Sequence, residues 1–232
     1  MNKLEFDAVL IDFYGTIAAG DHQVVERIAA RVVAAFSIPM SPSEFAIHWG
    51  EVFFAVLNAS NHQDFRTLHE CEVVSLHDAL HKLDVDEVLD PSEFVAELEA
   101  YWRNPPLHSD AIEFLSRLKL PVCCVSNADT AALGKAMKTN DLRFTAVISS
   151  EDARCYKPEP AIFQRALRTL DVPASRCIHI GDSLHSDIGG AAGMGISTAW
   201  VNRAHRIHDI GDHAADFEVS ELTELLGLFD RH

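Results

Sequence analysis

From Pro105-Pro106 onward the chain alternates short apolar runs with amphipathic stretches, and this alternation limits the fold more than any other feature. The runs are Val122 to Ser126, Ala146 to Ser149, Cys177 to Ile180 and Thr198 to Val201, with helical segments between them. Continuous apolar runs of this length are strands covered on both faces, and strands separated by helices build a parallel sheet. An earlier run, Ala8 to Ile11, ends at Asp12 and is followed by the turn Phe13-Tyr14-Gly15-Thr16, so it reads as the first strand. The fold class is therefore α/β, a Rossmann-like doubly wound parallel sheet.

Between the first strand and the rest lies a stretch with a different period. From Asp21 to about Tyr101 the pattern is helical, beginning with Val24, Val25, Ile28, Ala29, Val32 and Val33 along one face. Pro39 ends that helix. Ser41-Pro42-Ser43-Glu44 and Asp90-Pro91-Ser92-Glu93 each combine a capping residue, a proline and a glutamate three residues after the cap, which marks two helix starts. Phe65 to Leu83 supplies a further amphipathic segment, giving about four helices, enough for a helical-bundle cap domain. The expected division is a core of residues 1–18 and 103–232 and a cap of residues 19–102.

Sheets of this kind bind ligands outside the carboxyl ends of their strands. The residues expected there are Asp12 after the first strand, Ser126 and Asn127 after the second, Lys157 beyond the third, and Asp182 and Asp187 after the fourth. Each also has a plainer reading: a turn for Asp12, Thr16, Ser126 and Asn127, a helix N-cap for Asp182 and Asp187, and a solvated surface residue for Lys157.

Composition narrows the chemistry. A formal charge of −16 repels phosphate backbones and anionic membranes, so neither nucleic acid nor membrane is an expected partner. A small anionic substrate would need a local cation, which gives weight to any cluster of metal ligands. The five cysteines form no C-x-x-C pair and read as packing thiols, and the thirteen histidines read as dispersed surface residues. Met1 to Ile11 lacks the features of a secretory signal, so a cytoplasmic location is expected. The oligomeric state is left open.

Asp12-Phe13-Tyr14-Gly15-Thr16, Ser126-Asn127, Lys157-Pro158, and Gly181-Asp182-Ser183 with Asp187 closely resemble, in order, the four motifs of the haloacid dehalogenase-like hydrolase superfamily. The resemblance spans nearly the whole core, and the helical insert after the first motif belongs to it. It implies that Asp12 is a covalent nucleophile, that Lys157 neutralises the charge of substrate and nucleophile, and that Thr16, Ser126 and Asn127 contact substrate or hold its loop. It also implies a Mg²⁺ ion held by the Asp12 carboxylate, the Tyr14 backbone carbonyl and Asp182, with Asp187 orienting or joining the shell.

Within the superfamily the motifs point two ways. Phosphatases carry a second aspartate two positions beyond the nucleophile, as acid and base; here that position is Tyr14, as in the 2-haloacid dehalogenases. A phenol of ordinary pKa about 10 donates a proton but is a poor base near neutrality. Against dehalogenation, those enzymes lack a metal ligand at the Asp182 position, no arginine stands early in the cap to grip a haloacid carboxylate, and Phe163 replaces their tyrosine. The stretch from Gly181 to Arg203 also looks like the nucleotidase and phosphatase branch. The expectation is a Mg²⁺-dependent phosphatase acting on a small phosphorylated metabolite, with a metal-independent 2-haloacid dehalogenase, and then a weakly active binding or regulatory protein, as alternatives. His48, Trp49, Phe53, Phe54, Arg66 and His69 are the cap residues expected to approach substrate, although most of them read as bundle packing.

Overall fold

A computed structural model describes residues 5–85, 90–206 and 213–229. The apolar runs are strands: β1 (Ala8–Ile11), β2 (Val122–Ser126), β3 (Ala146–Ser149), β4 (Cys177–Gly181) and β5 (Ser197–Val201). A further short strand, β6 (Phe217–Val219), alternates apolar and polar residues over three positions only, too few to mark it in the sequence. All six are parallel, in the order β3-β2-β1-β4-β5-β6.

Strand residues alternate between two cores. Val9, Ile11, Cys124, Ile178 and Ile180 pack on one face with helix α5 (Ser109–Arg117). Ala8, Leu10, Cys123, Val125 and Cys177 pack on the other with helix α7 (Pro160–Leu170). All five cysteines are free and buried, in keeping with a packing role.

Four helices form the insert: α1 (Asp21–Phe36), α2 (Pro42–Ala59), α3 (Leu68–His81) and α4 (Ser92–Arg103). Their shared core holds Ile28, Val32, Phe45, Trp49, Leu76, Val95 and Leu98. At Ser41 the expected capping box is complete: Glu44 N–H donates to Ser41 Oγ and Ser41 N–H to Glu44 Oε2. At Asp90 the expected box does not form: the helix begins at Ser92 with Pro91 as its N-cap, and the Asp90 carboxylate accepts from Ser92 N–H in a local turn instead. Thr67 and Glu70 form a second full box at the start of α3.

Three long-range ties join this helical layer to the sheet. Asp129, at the N-cap of α6 (Thr130–Thr139), accepts from the backbone N–H groups of Leu68 and His69, at 2.6 and 3.1 Å. Tyr156 donates its hydroxyl to Arg66 O and its backbone N–H to Asn61 Oδ1, and its ring stacks on Phe65 at 5.3 Å. Tyr14 donates its hydroxyl to Trp102 O at 2.7 Å.

Candidate active site

The strand order reverses between β1 and β4, and at such a switch point the loops diverge and leave a crevice. Asp12 follows β1 directly and Asp182 follows β4 directly, so the two carboxylates meet at that crevice. Together with Asp187 they offer carboxylate oxygens all within 4.8 Å of one another. Gly15 permits this approach: its φ is +93°, and a Cβ there would lie 2.7 Å from Asp182 Oδ1. At Gly181 a Cβ would lie 2.3 Å from the Asp187 carboxylate carbon.

Lys157 sits at the bottom of the crevice, 3% exposed. Its ammonium donates to Asp12 Oδ1 at 2.5 Å, Asp187 Oδ1 at 2.6 Å and Val125 O at 3.0 Å. An ammonium carries three hydrogens, so its donors are all used. Burial alone would lower the Lys157 pKa, but Asp12 and Asp187 override it and hold the ammonium charged, well above its usual value. Asn127 fixes the lysine's backbone from both sides, accepting from Lys157 N–H at 2.8 Å and donating to Lys157 O at 3.3 Å.

The three carboxylates differ in environment. Asp187 accepts from Lys157, from His179 Nε2 at 2.9 Å and from Ser183 N–H at 3.1 Å. Burial would raise it, yet these donors hold it well below the ordinary carboxylate range. Asp12 is pushed up to about 6 by burial and the nearby Asp187, against the pull of Lys157. Asp182, for which burial and the charges of Asp12 and Asp187 outweigh Arg206, is pushed up to about 8. The Lys157 ammonium thus serves Asp12 and Asp187, while Asp182 has only the half-exposed Arg206, at 3.8 Å, and bears most of the imbalance.

Polar atoms without protein partners mark where a ligand would enter. Asp12 Oδ2, Thr16 Oγ1 and Ser126 Oγ are all buried and make no hydrogen bond. Such groups cost about 1–3 kcal/mol each when left unsatisfied, so their clustering beside one crevice points to a bound species that completes them. The donor set is all oxygen, which suits a hard divalent cation. Among the described residues it is the only group of three or more metal-ligating side chains so arranged. His77 and His81 stand four apart on α3 but belong to no such group.

The expectation that the histidines lie dispersed on the surface fails at His179, which is 0% exposed. It lies on β4 two residues before Gly181, fully buried, its ring edge-on to Phe163 at 5.2 Å. Burial lowers its pKa and leaves it neutral, donating through Nε2 to Asp187. The available signal was a histidine in an otherwise apolar strand, on the same face as Cys177.

The expected cap residues divide. Trp49, Phe53 and Phe54 line a cavity of about 400 Å³, bordered by Tyr14 and Asn127 of the sheet loops. His48 instead binds Ala79 O, His69 pairs with Glu99 at 2.7 Å, and Arg66 donates to Ser60 Oγ. A second, smaller cavity of about 180 Å³ opens beside Asp182, shares Asp21 and His22 with the first, and is lined by Arg203 and Arg206.

A parallel sheet, a helical insert after the first strand and carboxylates at the switch point define the class: a Rossmann-like hydrolase with a helical layer over its strand ends. Residues 6–195 match the haloacid dehalogenase-like hydrolase family, and the chain belongs to it. Among curated relatives, the glyceraldehyde 3-phosphate phosphatase of Pyrococcus furiosus is 33% identical over 90 residues, 38% of each chain. The (S)-2-haloacid dehalogenase of Pseudomonas sp. strain YL is 25% identical over 136 residues, 57% of this chain and 58% of that one. The chain therefore spans less than two thirds of these relatives' length. The L-2-haloacid dehalogenase of Xanthobacter autotrophicus shares the fold, with a TM-score of 0.77 at 21% identity over 96% of this chain and 98% of that one. Among the described residues no helix is long and apolar enough to cross a membrane.

Proposed function

We propose that the chain hydrolyses small phosphomonoesters through an aspartyl-phosphate on Asp12, with a divalent cation as cofactor. The observation that carries this reading is the charge imbalance: Asp12, Asp182 and Asp187 lie within 4.8 Å of one another, against one fully engaged ammonium and the half-exposed Arg206 guanidinium, 3.8 Å from Asp182. Asp12, Asp182 and the Tyr14 backbone carbonyl would hold Mg²⁺, which when bound offsets carboxylate charge and polarises a phosphoryl oxygen.

Asp12 Oδ2, the oxygen free of Lys157, attacks phosphorus while Oδ1 stays anchored to the ammonium. The bond from phosphorus to the leaving oxygen breaks, and that oxygen takes its proton from solvent. Thr16 and Ser126 donate their free hydroxyls to the equatorial phosphoryl oxygens. Water then attacks the phosphoenzyme, releasing phosphate and restoring the Asp12 carboxylate. Lys157 acts on the nucleophile more than on substrate, because its hydrogens are already committed. Asp187, held by His179 and Ser183, keeps Lys157 in place. The helical layer, read as a cap domain of residues 19–102, supplies the leaving-group cavity.

Dehalogenation is the second reading, favoured by Tyr14 and by the likeness to dehalogenase folds. Against it, the cavity beside Tyr14 presents Asp21 and Glu72 and no lysine or arginine, a poor receptor for a haloacid carboxylate. Hydrolysis of 4-nitrophenyl phosphate, abolished by EDTA and restored by Mg²⁺, is the expected result. Release of halide from 2-chloropropionate, unaffected by EDTA, would reverse the choice. Asp12→Asn should lower turnover by a factor on the order of 10⁴ or more under either chemistry.

A further inference from the structure

The larger cavity contains a group that the chemistry at Asp12 does not use. All four helices of the insert contribute walls, and most of the lining is apolar or aromatic, with Trp49, Phe53, Tyr101 and Trp102 prominent. Into it opens Glu72, one turn beyond Leu68 on α3. Glu72 is part-buried and has no side-chain hydrogen-bond or ionic partner among the described residues, and desolvation by the cavity wall pushes its carboxyl up to about 8. An unpaired carboxyl in an apolar setting is costly, and a packed wall would carry leucine or glutamine there. The neighbouring polar groups, Asp21, His22 and Asn127, include no lysine or arginine that could pair with it.

We propose that Glu72 is a specificity-determining residue that selects substrates whose leaving group carries an amine or another nitrogen-centred cation on an aromatic or aliphatic frame. The frame fills the apolar cavity, and the cation replaces the partner that Glu72 lacks. Trp49 and Trp102, which line the same space, add aromatic surface for the frame. A leaving group with a second anion meets two carboxylates, Asp21 and Glu72, and is rejected. This inference rests on the phosphatase reading for the reaction but not for the binding site.

The test has two arms. Two of the chain's three tryptophans line the cavity, so intrinsic fluorescence reports occupancy by phenethylamine or by 3-phenylpropanoate at about pH 8. Phenethylamine should bind at least about tenfold more tightly than 3-phenylpropanoate, and Glu72→Gln should remove that difference. Glu72→Lys should reverse it. In the second arm, kcat/KM is compared for tyramine O-phosphate, 4-ethylphenyl phosphate and 3-(4-phosphonooxyphenyl)propanoate with Mg²⁺ present. The amine should lead by about tenfold, and Glu72→Gln should bring it level with the ethyl compound. Equal binding of the two phenyl ligands, or selectivity unchanged by both substitutions, overturns the role of Glu72. Retained amine selectivity in binding with no turnover of any phosphate overturns the phosphatase reading alone.

Discussion

The Tyr14 hydroxyl donates to the Trp102 carbonyl at 2.7 Å, across 88 residues of sequence. The side chain that stands where an acid–base aspartate is expected therefore spends its proton on the end of α4, tying the nucleophile loop to the helical layer. Burial first, and then nearby acidic groups including Tyr101 and Asp12, holds its pKa well above the phenol range, so it offers no base. Tyr14→Phe should cost about 1 kcal/mol of stability in thermal melts while leaving aryl phosphate turnover within a few-fold of the parent. Tyr14→Asp should raise turnover of poorly activated alkyl phosphates by on the order of 10²-fold. A large loss in Tyr14→Phe would show that the phenol takes part in proton transfer.

Lys157 is the only cation hydrogen-bonded to Asp12 and Asp187 among the described residues. Lys157→Met removes it without opening a large void but leaves two buried carboxylates unpaired. A destabilisation of about 3–5 kcal/mol is expected by chemical denaturation at neutral pH, together with loss of measurable turnover. Because protonation of those carboxylates relieves the defect, the variant should recover part of its stability at lower pH.

The metal-free protein should lose stability as pH rises. Asp182 titrates near 3.8 when unfolded and near 8 when folded, so between those values the native state holds the extra proton. Its contribution is present below about pH 4 and is lost as pH climbs through about 8; Asp12 behaves the same way up to about 6. Asp187 has the opposite sign, and its contribution is lost only in strong acid. Calorimetry in EDTA should therefore show a Tm falling between about pH 5 and 8. Asp182→Asn should flatten that slope and gain about 1–3 kcal/mol at pH 8, a modest figure because its side chain is 29% exposed. With Mg²⁺ at about 100 times its Kd, the parent should gain about 2.7 kcal/mol and Asp182→Asn much less.

His179 acts through Asp187 and so is a positioning residue. His179→Phe should lower kcat by about tenfold or more, with little change in KM, as Asp187 loses one of its donors. The acid limb of the kcat profile should move, because Lys157 and Asp12 share that network. His179→Gln, which can present an N–H to Asp187, should restore part of the rate. An unaltered pH profile in His179→Phe would reduce the histidine to packing.

Much of this architecture could be read along the chain. The five longer strands follow from apolar runs, since a parallel strand covered on both faces is mostly apolar, although the edge strand β3 leaves Val147 exposed. Helix α2 starts where Ser41 and Glu44 can cap it, because capping is settled within four residues. Asp12, Ser126, Lys157 and Asp182 were legible as rim residues, since each follows a recognisable strand. Strand β6 escaped notice: three part-exposed residues at a sheet edge hold too little periodicity to register.

Tertiary structure decided what those residues do to one another. Lys157 and Asp12 meet across 145 residues, and only the strand order places them side by side. The same holds for the Tyr14 hydroxyl's partner, the His179 bond to Asp187, and the aim of Glu72 into an aromatic cavity. Short-range rules of period and capping act between neighbours in the chain and are therefore written in it. Hydrogen-bond saturation, burial and shared charge arise between segments that meet only after the sheet is wound, so no local pattern carries them.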